Sequence, residues 1–137
     1  QTQPSASAAL GAIVAGATGL PSNDNRPYCI VRIGPAGSSW EEKGRATSRR
    51  SITASVSEEP IWNLGFTFDA NGGGELALRV VSSATWLSDE KVVGEAVVPF
   101  VAQELLAAET KLDAPLLKAE AAVGTLSVRL GGAAMVN

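Results

Sequence analysis

Short runs in which apolar and polar residues alternate recur along this chain, and they restrict it to an all-β fold. Leu64, Phe66 and Phe68 are spaced two apart, as are Leu76, Leu78 and Val80, and again Leu126, Val128 and Leu130. A period of two places one set on the buried face of a strand and the residues between them on the other face. Cys29, Val31 and Ile33 share such a face, and Arg32 points the other way. Clear strands are expected over residues 10–15, 28–33, 64–68, 76–81, 92–98 and 124–130. Residues 110–117 form a weaker strand. The polar, ambiguous stretch 40–56 could supply one more over 43–52. Gly11 is a candidate bulge. Pro99 is expected to stop its strand, because proline cannot donate to a sheet ladder. Residues 101–109 have helical composition over a short length.

About eight short strands with Gly, Pro, Asn and Ser between them argue an eight-stranded antiparallel β-sandwich with one short helical insert. The 137 residues suit one domain. That length buries about two-thirds of the unfolded surface, so the fold needs no cross-link. The expected limits are a flexible lead at 1–8, the domain at 9–131, and a loose tail at 132–137. Within "EEPIWNLGFTF", residues 58–68, Pro60 ends a polar connection. Trp62, Phe66 and Phe68 are expected to anchor the core, with Asn63 bonding through its side chain at the turn into the strand.

Composition removes several chemistries. The chain has no His, which excludes His-based acid–base catalysis, Ser-His-Asp and Cys-His sites and most zinc sites. The single Cys29 excludes an internal disulfide and reads as a small buried hydrophobe. Residues 72–74 are all Gly, but no Lys-Ser or Lys-Thr follows, so they form a hairpin turn and not a phosphate loop. No run approaches the roughly 20 apolar residues of a membrane-spanning helix. The chain begins at Gln1, which suits a fragment or a processed form. Nothing places two carboxylates in one cleft, so the expectation is a protein without catalytic activity or cofactor. The net charge is −3, with cations crowded into the first half. Lys43, Arg45, Arg49 and Arg50 could form a basic strand face for an acidic partner, and a solvated hairpin accounts for the same residues. Nucleic acid is not expected, because the overall charge is negative and aromatics do not interleave with the basic run.

The order of these elements resembles the C2 domain family, an eight-stranded Greek-key sandwich used in membrane targeting. Pro60-x-Trp62-Asn63-x-x-Phe66-x-Phe68 matches a family pattern letter for letter. Around it, in the family's order, fall Leu20, Pro27-Tyr28, Leu76-x-Leu78-x-Val80, Val93-Gly94 and the strand from Gly124 to Leu130. The resemblance runs from about Leu10 to Leu130.

Calcium-binding members of that family hold the ion with several aspartates on two loops, as suits a hard cation wanting six to eight oxygens. Here Arg26 replaces the aspartate of the usual Asp-Pro-Tyr, and Asp24 is out of register. The second pair falls on Ser83 and Thr85 in one register, or Ser82 and Ala84 in the other. Asp89 and Glu90 follow, beside Lys91. The resemblance therefore implies a calcium-independent docking module. Its expected contacts are Trp86, Leu87 and Leu20 on the loops, with Lys43, Arg45, Arg49 and Arg50 on the basic strand. Trp86 suits an interface, although it could also fold back onto its own sandwich. The expected partner is an anionic membrane surface or a membrane-associated protein assembly, which implies a peripheral, intracellular location, with an organellar one as the variant for a processed chain. The alternative is an accessory subunit held in a large complex by protein contacts alone.

Overall fold

A computed structural model of the chain describes residues 8–20, 26–34, 47–51, 59–70, 72–82 and 89–136, with only the backbone of 47–50. Eight strands follow one another: β1 (Ala8–Thr18), β2 (Pro27–Gly34), β3 (Thr47–Arg50), β4 (Ile61–Ala70), β5 (Gly73–Ser82), β6 (Lys91–Val101), β7 (Thr110–Lys118) and β8 (Ala121–Gly132). A six-residue helix, α1 (Ala102–Ala107), links β6 to β7, and a single 3-10 turn, Ala133–Met135, follows β8. Every pairing is antiparallel.

The hydrogen-bonded order is β3-β2-β5-β6-β7-β8-β1-β4. Its middle is thin, because β6 and β7 meet through one pair, Glu95 opposite Leu117. The sheet therefore folds at that seam into two four-stranded halves, the Greek-key sandwich expected. Between them lie Val31, Leu76, Leu78 and Val80 from one half and Leu10, Val14, Leu126, Val128 and Leu130 from the other, all buried. Phe68 of β4 and Phe100 of β6 meet edge to face with ring centroids 5.6 Å apart. That geometry suits the ring quadrupoles. Helix α1 is too short to persist alone. It is held by burying Ala102 and Leu105.

The bulge in β1 lies at Ala15, not at Gly11. Val14 pairs with Val128 and Gly16 with Ser127, so β1 carries one extra residue against β8. Below the bulge Leu10, Ala12 and Val14 face the core; above it the parity changes and Ala17 does, opposite Leu126. The cause is a close approach. The Pro60 carbonyl oxygen accepts from the Ala17 N–H at 3.0 Å and passes so near Gly16 that a Cβ there would collide with it.

Two further expectations are corrected. Strand β6 runs through Pro99, which stands opposite Glu75 of β5, and ends at Val101. Its β7 side has no paired residue past Glu95 among the described residues, and a missing N–H costs nothing on such an edge. The described part of the tail is not loose: Gly132 belongs to β8, and residues 133–136 pack back on the sheet.

Candidate docking surface at the loop end

The connections 19–26, 51–60 and 83–90 and the tight turn between β7 and β8 all leave from one end of the sandwich. The register places them together. Thr18 is opposite Thr125, Pro27 is opposite Ser82, Ser82 is opposite Lys91, and Gly16 is opposite Ile61. The family-like motif holds this end closed. Trp62 is buried, and its indole Nε1 donates to the Pro27 carbonyl at 3.1 Å, tying β4 of one half to β2 of the other. Asn63 takes φ +47°, a left-handed conformation that Asn tolerates better than most residues. It stands where β4 carries an extra residue, between Leu64 opposite Val14 and Ile61 opposite Gly16. Asn63 thus serves through its backbone.

The foot of the 83–90 connection is tied as well. The Tyr28 hydroxyl donates to Glu90 Oε2. Tyr28 is buried although it lies on the outward side of β2. On the same side Arg79 pairs with Glu95 at 2.6 Å, both partners being about a third exposed or more. A pair so exposed contributes at most about 1 kcal/mol. Ser51 continues past β3 and closes a reciprocal pair with Cys29. Its N–H donates to the Cys29 carbonyl at 2.8 Å, and its Oγ accepts from the Cys29 N–H at 2.7 Å. Burial of Cys29 pushes its thiol up to about 12, so it is neither nucleophile nor ligand at neutral pH.

The expected contact residues divide into three groups. Leu20 is not a contact: it is 5% exposed and packs in the core, its Cδ2 against Gly124. The sequence suggests a loop contact for Leu20; burial at the foot of the loop is the better use of an apolar side chain there. Arg49 and Arg50 belong to β3, with backbone positions opposite Val31 and Ile30. Trp86, Leu87, Lys43 and Arg45 lie outside the described residues, as does Asp24. Among the described residues no three His, Cys, Asp or Glu side chains converge as a metal would need. Ser82, a candidate register position for an aspartate, is buried at the end of β5.

One candidate was missed. Ile61 opens β4 at this end and is 71% exposed, more than any other large apolar residue described. Its signal was present, since placing Trp62 inward turns Ile61 outward by alternation. Arg26 is exposed one residue before Pro27, and Lys91 is exposed opposite Ser82. Among the described residues the loop end thus offers two exposed aliphatic side chains, Ile61 on β4 and Leu117 beside the β7–β8 turn, with exposed cations at the ends of β2 and β6.

Comparison with known proteins agrees with this architecture. The first C2 domain of plant extended synaptotagmin 1 superposes with a TM-score of 0.69 at 19% identity, covering 94% of this chain and 95% of that one. Human GIVD cytosolic phospholipase A2 superposes with a TM-score of 0.67 at 18% identity, and the match covers 96% of this chain but 18% of the enzyme. The calcium-bound pair of C2 domains from extended synaptotagmin 2 gives 0.62 at 18% identity, covering 90% of this chain and 41% of that one. At such identities the likeness is one of fold. A search of curated proteins found no match. The family model described as C2 domain matches residues 9–114, well over half of the sequence, and the chain therefore belongs to the C2 domain family.

Proposed function

We propose that this chain is a non-catalytic, calcium-independent docking module that engages an anionic membrane surface through its loop end. One observation carries the reading: in a C2 domain, the end from which these connections leave presents Ile61 71% exposed on β4, with exposed Arg26 and Lys91 at the same end, on β2 and β6. An exposed aliphatic and cations at one end suit a surface that is negative at the headgroups and apolar beneath. Trp86 and Leu87 of the 83–90 connection would add to it. Arg26, standing where calcium-binding members carry an aspartate, supports calcium independence, since a fixed cation opposes a second one. No helix among the described residues is long and apolar enough to cross a bilayer, and the proposed attachment is peripheral.

Sedimentation with vesicles tests this. Binding should rise as phosphatidylserine replaces phosphatidylcholine, fall with salt, and be the same in chelator as in millimolar calcium. Ile61→Ser and Trp86→Ala should weaken binding and leave the melting temperature within about 2 °C of the parent, as for surface changes. Binding that appears only with calcium overturns the calcium-independent reading. Absence of lipid binding, with the protein recovered in a stable complex, replaces the membrane with protein contacts as its anchor.

A further inference from the structure

The outer face of the β4-β1-β8 half carries three glycines on three strands. Gly11 of β1 lies between Gly131 of β8 and Thr67 of β4, and Gly65 of β4 lies beside Ile13 of β1. Gly11 is buried although Leu10 and Ala12 on either side of it face the core. What covers it is the segment that follows β8. A Cβ on Gly11 would lie 2.6 Å from Val136 Cγ2, one on Gly65 3.1 Å from Val136 Cγ1, and one on Gly131 3.3 Å from Met135 Sδ. The 3-10 turn Ala133–Met135 makes this return, closed by the Val136 N–H on the Ala133 carbonyl at 3.1 Å.

We propose that residues 133–136 are a strap that docks on this glycine floor and opens from it as a unit while the sandwich stays folded. The floor explains why three strands give up side chains at adjoining positions, since any side chain there would occupy the strap's seat. The strap's own hold is slight. It consists of one turn of 3-10 helix in which Ala134 is exposed and Ala133, Met135 and Val136 are half-buried, and segments with few buried contacts open at far lower free energy than the core. Docked, the strap closes the outer face of three strands; open, it leaves that face flat and bare around Gly11.

Position 65 allows the strap to be moved without disturbing the sheet. Apart from Val136, the nearest atom to a Cβ on Gly65 is Ile13 Cγ1 at 3.8 Å, an ordinary contact. Gly11 is less suitable, because its Cβ would also meet the Gly132 carbonyl oxygen at 3.0 Å. The probe is a thiol introduced by Met135→Cys, labelled with a maleimide under native conditions. The buried Cys29 in the same molecule reports global unfolding. Labelling of the introduced thiol should accelerate from the parent to Gly65→Ala to Gly65→Val, by roughly tenfold or more over the series. Labelling of Cys29 should stay slow throughout, because valine favours a strand and the sandwich is kept. Equal rates at the introduced thiol in all three proteins overturn the strap. So does a rise at Cys29 in step with it, because the tail would then open only by unfolding of the domain.

Discussion

The Trp62 indole N–H donates to the carbonyl oxygen of Pro27 at 3.1 Å, and both groups are buried. The bond runs between the first strand residues of β2 and the beginning of β4, which lie in different halves of the sandwich. A buried carbonyl left without its donor costs about 1–3 kcal/mol. Trp62→Phe keeps an aromatic ring in the site and removes the donor. It should lower stability by about that amount, read as a shift of the urea midpoint at constant slope. An unchanged midpoint would show that the bond contributes nothing to holding the two halves together.

This pair also shows how far the sequence could be read. The alternation at Phe66 and Phe68, at Leu76 to Val80 and at Leu126 to Leu130 depends only on neighbours in the chain, and all of these residues are in the core. The bulge at Ala15 depends on the Pro60 carbonyl, far away in sequence, so nothing near Gly11 could move the expectation to Ala15. Leu20 and Val136 were misread for a related reason. Leu20 falls in a connection and Val136 in the stretch expected to be loose, and each is seated by a glycine on another strand. The candidate surface follows from the sequence only as the loops, and not as a set of side chains. Ile61 follows by alternation from the inward Trp62, and its exposure is what the structure adds.

Gly16→Ala tests the close approach at the bulge. The added methyl meets the backbone of Pro60 and Ile61, which cannot rotate away as a flexible side chain would. Overpacking in a well-packed site costs about 1–3 kcal/mol, and a backbone obstruction belongs at or above the upper end. Gly73→Ala is the control, since its Cβ has nothing nearer than 3.5 Å. Denaturant unfolding of the two variants should separate them by about 2 kcal/mol or more. Equal losses would mean that the Pro60 carbonyl moves aside freely.

The turn between β7 and β8 should be open to improvement. Ala119 and Glu120 have φ of +51° and +68°, a pair of left-handed residues in a two-residue hairpin. Such turns favour Asn-Gly, and residues with a Cβ other than Asn and Asp lose roughly 1–2 kcal/mol in this conformation. Ala119→Asn combined with Glu120→Gly should raise stability by about 1 kcal/mol or more. The gain is to be read from the melting temperature and checked against the urea midpoint. A neutral or lower value would show that the side chains now present make compensating contacts at the loop end.

The reciprocal bonding of Cys29 with Ser51 places its thiol in the core, and burial raises it from an ordinary value of 9.0 to about 12. The unfolded chain releases this proton near 9 while the folded chain keeps it to about 12, so the folded state binds more protons in that interval. Stability is then fully present below about pH 9 and falls as pH rises from there towards 12. The slope from this group approaches about 1.4 kcal/mol per pH unit. Cys29→Ala removes the thiol and opens a small cavity, so it should be less stable at about pH 7. It should also lose less than the parent between about pH 9 and 10.5. Urea midpoints measured at both pH values in both proteins decide the matter. A parent and a variant that fall in parallel would show that Cys29 ionises while folded, and hence that water reaches the sulfur between the two halves.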